Sequence, residues 1–214
     1  MIVTLLYKEW RLTLHSAAYL FLCFGALTLV PNYPYGMVFF FGALGLYFTT
    51  VSARENNDML FAAMLPVDKA ALFKGRHLLF VTVEMAQLCM AIPFALIRSL
   101  VFHAHNGAGI EANAAWFGFG LVIYTVFNGS FLLSWAKNPA AAGKAFVKAA
   151  VPVCLLIGIE EGLAFVPALA FLDSTAWPDL IKQLPLLILG IAVYCLGNIG
   201  IDRVGRRRLE TTDL

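Results

Sequence analysis

Charged residues are scarce in this sequence of 214 amino acids. Asp, Glu, Lys and Arg together make up only 13%, whereas 61% of the residues are hydrophobic and the mean hydropathy is +0.80. Soluble domains usually carry about 25% charged residues, so the composition excludes a soluble domain. A helix needs about 20 apolar residues to cross the hydrocarbon core of a bilayer, and we place six such runs at 16–30, 34–53, 78–102, 116–135, 149–172 and 184–201.

The sequence also lacks the short motifs of metal sites and nucleotide sites. The cysteines lie in four different apolar runs without metal-ligand spacing, at Cys23, Cys89, Cys154 and Cys195. The only Gly-Lys pair, Gly143-Lys144, is followed by Ala145, where a P-loop requires Ser or Thr. The net charge of +2 does not suggest a nucleic-acid partner. We therefore expect no enzyme activity, no metal and no cofactor in this chain.

Basic residues are absent from alternate gaps between the apolar runs. Of the 15 Lys and Arg residues, 13 lie before the first run or in the gaps after the second, fourth and sixth runs, and only Arg98 and Lys182 lie elsewhere. Positive charge beside membrane spans marks the cytoplasmic side. This pattern predicts an all-α protein in one domain, residues 1–214, with six spans and both termini in the cytoplasm.

The N-terminal residues have the pattern of an amphipathic helix. Lys8 and Arg11 lie opposite a broad apolar face that includes Trp10. A helix of this kind lies in the plane of the membrane interface. The apolar run that follows has no A-x-A-like cleavage site, so we expect it to be retained and not removed as a signal peptide.

The gap after the second run, residues 54–77, contains a second amphipathic pattern. Apolar residues recur at helical spacing after a polar start, and Pro66 must end the helix at or before Leu65. Asp68 is placed to cap the next helix. Met59, Leu60, Phe61 and Met64 are expected to be exposed and to need a surface to pack against, which could be a partner protein, the spans of this chain or lipid.

Several polar side chains interrupt the spans. Glu84 and Gln87 lie one turn apart in the third span, Asn128 lies in the fourth, and Glu160 and Glu161 lie in the fifth. Carboxylates inside a membrane are costly unless they are paired, protonated or hydrated. Because adjacent residues point about 100° apart on a helix, we expect at most one of the two glutamates to face the protein interior fully. In a structural interpretation one glutamate pairs with Arg98 or a backbone donor and the other is hydrated; in a functional interpretation one of them contacts a cationic or amide-rich substrate.

These features together resemble the permease subunits of type-2 ABC exporters, in particular small ones without their own ATPase that export amphipathic peptides in bacteria. The resemblance is carried by Tyr7-Lys8-Glu9-Trp10-Arg11, by the six spans, and by Leu65-Pro66-Val67 followed by a Lys-rich helix that reaches Gly75-Arg76.

The resemblance implies an N-terminal elbow helix with Lys8, Trp10 and Arg11, and a coupling helix between spans two and three that seats in a separate ATPase. The coupling residues would be Glu55, Asp58, Met59, Leu60, Met64, Leu65 and Pro66. It further implies a second permease copy or a paralogue, a plasma-membrane location in a bacterium, and ATP and Mg²⁺ bound only by the partner ATPase. The candidates for the substrate pathway are Glu84, Gln87, Asn128, Glu160 and Glu161.

Three other functions compete with this interpretation. A secondary transporter or channel would share the topology, although such folds often have matching broken helices in both halves, and only the fifth span is clearly interrupted here. Glu160-Glu161 resembles the start of the CAAX-type membrane protease motif, but Phe165 stands where that motif has Arg. A noncatalytic accessory subunit is the third alternative.

Overall fold

A computed structural model describes residues 2–64, 66–102 and 106–212. Every regular element of the described chain is a helix, with no strand among these residues. Its α-helices are α1 (Ile2–Lys8), α2 (Ser16–Leu22), α3 (Met37–Glu55), α4 (Asp58–Ala63), α5 (Lys69–Val101), α6 (Ala114–Trp135), α7 (Ala142–Leu163) and α8 (Trp177–Glu210). A π-helix, Glu9–Thr13, extends α1, and 3₁₀ helices form Cys23–Leu29, Pro139–Ala141 and Pro167–Leu172.

Five helices, α3 and α5 to α8, are long and apolar enough to cross a membrane. A sixth candidate is the bent pair Ile2–Thr13 and Ser16–Leu29, whose halves meet at 97°. The long apolar helices indicate a multi-pass membrane protein. Because half of Ser16–Leu29 is 3₁₀ helix, which rises about 2.0 Å per residue, the segment extends roughly 25 Å although it has only 14 residues.

The fifth apolar run differs from the sequence prediction. We expected a span at 149–172, whereas α7 covers Ala142–Leu163 and a separate 3₁₀ helix covers Pro167–Leu172. Val166 has extended backbone angles (φ −92°, ψ 111°), because the ring of a following proline disfavours the helical conformation. By contrast, α5 continues through Pro93 and α7 through Pro152.

The connections that carry most of the Lys and Arg residues meet at one end of the bundle, which we call the basic end. Lys8, near the N-terminus, pairs with Asp58 of α4. The Lys69 ammonium donates a hydrogen bond to the Thr212 carbonyl oxygen (2.7 Å). Both ends of the described chain therefore lie at the basic end.

The other connections meet at the opposite end, which we call the loop end. The Asn106 amide donates to the Tyr33 carbonyl oxygen (3.2 Å), and the Glu111 backbone N–H donates to the Asp173 carboxylate (2.9 Å). These contacts join residues 30–36, 106–113 and 164–176 in one cap. The gaps rich in Lys and Arg therefore lie at one end of the bundle, and the gaps with few basic residues lie at the other.

Helix α6 lies at the centre, between α7 and α8, while α5 packs on α8 and on Cys23–Leu29. Phe80, Phe127 and Phe131 stack on one another in the core of the bundle. Trp116 and Trp135, near the two ends of α6, are both buried. Indole rings at the ends of a central helix have protein neighbours on every side, so they pack in the core. The four cysteines are exposed on the helix surfaces.

Candidate functional site

The short helix α4 is fixed to the bundle by four charged side chains, Lys8, Glu9, Asp58 and Arg76, which we call the ion cluster. Arg76 donates from Nε to Glu9 (2.7 Å) and from Nη2 to Asp58 (2.9 Å). Lys8 lies 3.1 Å from Glu9 and 2.5 Å from Asp58. Each carboxylate therefore contacts both cations. The cluster joins two sets of predicted residues, since Lys8 belongs to the proposed elbow and Asp58 to the proposed coupling segment.

The sequence around α4 explains why the chain turns there. Helix α3 ends at Glu55, and Asn57 then adopts a left-handed conformation (φ 52°). Asparagine tolerates this conformation better than most residues, so the chain reverses and begins α4 at Asp58. Asp68 occupies the N-cap position of α5 as expected, but its side chain makes no capping hydrogen bond.

Three apolar side chains of α4 and its end are exposed. Leu60 is 46% exposed, Phe61 is 64% exposed, and Met64 at the end of the helix is 83% exposed. Met59 differs from our expectation, because it is partly buried and packs on the hydrophobic core. Leu65 lies outside the described residues, and Glu55 and Pro66 are exposed.

The proposed elbow is attached to α5 through its aromatic residue. The Trp10 indole N–H donates to the Thr82 hydroxyl (3.0 Å), and Arg11 is exposed on the other side. The side chain of His15 accepts from the Ala17 backbone N–H and caps the next helix at the bend (3.1 Å). The chain therefore turns sharply between the two segments with its backbone donors satisfied.

A polar network crosses the middle of the bundle. Glu84 accepts hydrogen bonds from Tyr194 (2.6 Å) and Asn128 (3.0 Å) through the same oxygen. Asn128 also donates to Asn198 (3.1 Å), and the Asn198 side-chain oxygen lies 2.9 Å from His77 Nε2. Sequence analysis identified Glu84 and Asn128, but not Tyr194, Asn198 or His77. Helical spacing could have found the α8 pair, because Tyr194 and Asn198 are four residues apart.

The network continues toward the basic end through His77. Its Nδ1 lies 3.8 Å from Asp202, which pairs with Arg206 (2.8 Å). The second oxygen of Glu84 has no hydrogen-bond partner among the described residues. A buried carboxylate with an incomplete set of partners is a candidate site for a proton or a ligand.

Gln87 belongs to a separate structural contact. Its amide donates to the carbonyl oxygens of Phe21 (3.2 Å) and Val38 (2.8 Å), and its oxygen accepts from the Tyr124 hydroxyl. Both N–H donors of the Gln87 amide and its oxygen are thus used in hydrogen bonds within the bundle. Gln87, which we predicted to line the pathway, ties α5 to α2, α3 and α6.

Glu160 and Glu161 are both buried, at 0% and 8% exposure, so the expectation that at most one faces inward is wrong. The loop end covers both carboxylates because glycines let the backbone come close. Glu161 accepts from the Gly36 backbone N–H (2.7 Å), and a Cβ added at Gly109 would overlap Glu161. Neither oxygen of Glu160 has a hydrogen-bond partner in the described part of the chain.

Arg98 pairs with Glu111 of the loop end (3.4 Å). Glu111 also accepts from the Asn106 backbone N–H (2.6 Å), which closes this loop over the buried carboxylates. Nearby, burial raises the pKa of Tyr35 to about 12, so its hydroxyl stays protonated and donates to the Val30 carbonyl oxygen.

Among residues 2–64, 66–102 and 106–212, no group of three or more His, Cys, Asp or Glu residues could hold a metal ion. His103 and His105 lie outside those ranges. Comparison with known proteins does not extend the assignment: no protein-family model, curated protein or solved structure matches this chain.

Proposed function

We propose that this chain is the membrane-spanning permease subunit of a type-2 ABC exporter. It would move an amphipathic or apolar compound out of a bacterial cytoplasm, with energy from ATP hydrolysed by a separate subunit. Two copies, or this chain and a paralogue, would form the pathway. ATP and Mg²⁺ would be bound by the ATPase alone, so this chain would have no catalytic residues of its own.

The observation that carries the proposal is the construction of α4. A six-residue helix is too short to be stable alone, yet the ion cluster attaches it to the basic end with Leu60, Phe61 and Met64 exposed. An exposed apolar patch on a braced helix is typical of a protein contact. In the proposed exporter this patch seats in the ATPase, and the ion cluster transmits its movement to α5 and to the N-terminal segment.

The placement of the chain ends supports a six-span topology in this proposal. Both ends of the described chain lie at the basic end, so the number of crossings is even. Five long helices need one more, and the bent pair supplies it through Ser16–Leu29. The basic end then faces the cytoplasm, where a soluble ATPase can reach α4.

The test uses paired charge substitutions on α4. The double variant Leu60→Asp, Met64→Asp places unpaired charges in the contact and is expected to weaken ATPase binding by at least ~2 kcal/mol, roughly 30-fold. The tagged protein is purified in mild detergent from its native membranes, and co-purified ATPase is detected with a photoreactive ATP analogue. The control is Trp177→Asp, because Trp177 is also an exposed apolar residue (76%) but lies at the loop end.

We expect an ATP-binding partner with the parent and with Trp177→Asp, but not with the α4 variant. Retention of that partner by the α4 variant argues against a coupling helix. A parent protein that co-purifies with no ATP-binding protein contradicts the exporter proposal as a whole.

A second candidate function, a proton-coupled secondary transporter, is favoured by the network from Glu84 to His77. Ionisable groups linked through the interior of a membrane protein often carry protons. The two proposals differ in energy source. Purified chain reconstituted alone into liposomes with an enclosed pH-sensitive dye would, if it is proton-coupled, dissipate a pH gradient when its transported compound is added, and Glu84→Gln would abolish this. An exporter subunit without its ATPase would leave the gradient intact.

A further inference from the structure

A cavity of about 750 Å³ opens at the basic end, beside the ion cluster. It lies between the last turns of α3 and α8, helix α4 and the connection from α6 to α7. Cavities of roughly 300–1,000 Å³ are typical of small-molecule sites. The size is therefore sufficient for a ligand, and the lining residues indicate its chemistry.

The cavity has a rim of basic side chains. Arg54, Lys137 and Arg208 are exposed around it, and the buried Arg76 lies deeper; no Asp or Glu is among the residues that line it. Glu9 and Asp58 neutralise Arg76 from the other side, whereas Lys137 has no hydrogen bond or ion pair with the described residues. The rim cations therefore leave a positive potential across the opening.

Two of the rim cations are held in place by backbone oxygens. Arg54 Nη1 donates to the Ala140 carbonyl oxygen (3.1 Å), and Arg208 Nη1 donates to the Leu133 carbonyl oxygen (3.0 Å). A guanidinium has five N–H donors, so each keeps donors for an anion. Arg54 also lies 4.0 Å from Glu55, but this pair is exposed and of little strength.

The floor of the cavity is largely apolar. Ala53 and Trp135 are buried there, and Met59 lies partly buried beside them. The Arg76 guanidinium sits 5.5 Å from the centre of the Trp135 ring, a cation–π contact that holds both groups. A basic rim above an apolar floor matches a ligand that has an anionic head and an apolar body.

The depth of the cavity favours a membrane lipid as the source of that ligand. Helix α3 ends at Glu55 and α6 ends at Trp135, so the cavity lies at the level where two membrane-length helices stop. Lipid headgroups occupy this level, and basic pockets on the cytoplasmic side of membrane helices attract anionic lipids.

We propose that this cavity binds a phosphate-bearing amphiphile from the membrane, with the phosphate on Arg54, Lys137 and Arg208 and the first carbons of the apolar chain on the floor. The site does not depend on the exporter proposal, since a secondary transporter could use it equally. Arg76 is a positioning residue: it holds α4 through the ion cluster and contacts Trp135 on the cavity floor, and it does not need to contact the ligand.

The experiment measures binding of a defined lipid to the full-length protein in a neutral detergent. Lysophosphatidic acid is the probe, lysophosphatidylcholine is the zwitterionic comparison, and inorganic phosphate tests the head alone. The variant Lys137→Gln, Arg208→Gln removes two rim charges. Arg207→Gln is the matched control, because Arg207 is an exposed neighbour on α8 that does not line the cavity.

We expect lysophosphatidic acid to bind more tightly than lysophosphatidylcholine and to raise the melting temperature of the parent protein and of Arg207→Gln. The double variant should bind it about 30-fold more weakly, since each basic side chain near an anionic head contributes roughly fivefold. Its melting temperature without lipid should equal that of the parent, which shows that it is folded.

Four outcomes overturn the proposal. If Arg207→Gln lost as much affinity for lysophosphatidic acid as the double variant, the probe would be binding to the surface charge in general. Inorganic phosphate binding as tightly as the lipid would mean that the apolar floor takes no part. Equal binding to the double variant and the parent would mean that the cavity is not the site, and loss of a protein partner in that variant would assign the rim to a protein contact instead.

Discussion

Arg76 is the residue on which the arrangement at the basic end depends most directly. Its side chain is 2% exposed and it pairs with carboxylates from two other segments, Glu9 and Asp58. Removing one partner of a buried ion pair leaves uncompensated charge and costs about 3–5 kcal/mol. We therefore expect Arg76→Gln to lower the melting temperature in detergent strongly, whereas Arg54→Gln, at a side chain 44% exposed, should change it little.

A double-mutant cycle separates the interaction free energy of Glu9 with Arg76 from other effects of each substitution on stability. Glu9→Gln and Arg76→Gln remove opposite charges that touch each other, so the double variant should lose less stability than the sum of the two single variants. Strict additivity would contradict the ion cluster as the feature that holds the N-terminal segment on α5.

Glu160 and Glu161 offer a second test at the residue scale. Glu160→Gln removes a carboxyl group that has no partner in the described residues, so we expect an unchanged or higher melting temperature. Glu161→Gln weakens a hydrogen bond from the Gly36 backbone N–H and should cost about 1 kcal/mol.

Both variants are measured for transport as well as for melting in detergent. Lower stability of Glu160→Gln would mean that its carboxyl group has a structural partner. Loss of transport at parental stability would assign that carboxyl group to the substrate pathway.

The sequence placed Lys8 in the predicted elbow helix and Asp58 in the predicted coupling segment, but it did not indicate that they pair. Their meeting with Glu9 and Arg76 required the placement of α1 against α5, across 67 positions of sequence. Such a pairing depends on tertiary packing, and no local periodicity encodes it. The inward position of both glutamates was missed for the same reason, since the loop end that covers them is formed by distant segments.

At the scale of elements, the close approach of α6 and α8 depends on glycine. A Cβ added at Gly190 would overlap the Gly118 carbonyl oxygen, whereas one added at Gly200, on the same helix, would meet nothing within 4 Å. Small residues allow helices in membranes to approach closely. The two facing positions, Gly118 on α6 and Gly190 on α8, became apparent only from the packing.

We expect Gly190→Ala to lower the melting temperature in detergent, because backbone atoms on α6 and α8 cannot move apart without loss of contacts along the whole interface. Gly200→Ala should leave the melting temperature unchanged or raise it, because the difference in helix propensity between the two residues stabilises the helix by up to ~1 kcal/mol. Equal effects of the two substitutions would show that the α6–α8 crossing is looser than described.

Element boundaries were predicted well where a strong local signal exists and poorly elsewhere. Pro66 limits α4 to Asp58–Ala63, and Asp68 precedes α5, both as expected. The apolar run at 149–172 concealed a helix end, because hydrophobicity is the same in α7 and in the 3₁₀ helix that follows. Prolines gave opposite results: Pro167 begins a new segment, whereas Pro93 and Pro152 lie within continuous helices.

At the scale of the whole molecule, the distribution of Lys and Arg along the sequence predicted which connections lie at the same end of the bundle. The gaps rich in Lys and Arg gather at the basic end, and the remaining connections form the loop end. This property is readable from sequence because it requires only the order of charged and apolar segments, without any pairing of side chains. The orientation of the two ends across the membrane is a separate matter, for which the positive-inside tendency gives an expectation.

Cysteine labelling tests that orientation in cells. In a background where Cys23, Cys89, Cys154 and Cys195 are replaced, Trp177→Cys at the loop end should react with a membrane-impermeant maleimide in intact cells. Lys144→Cys at the basic end should react only after the membrane is opened; both positions are exposed, so access to the reagent alone decides the result. Labelling of Lys144→Cys in intact cells would place the basic end outside, beyond the reach of a cytoplasmic ATPase, and would contradict the exporter proposal together with its six-span topology.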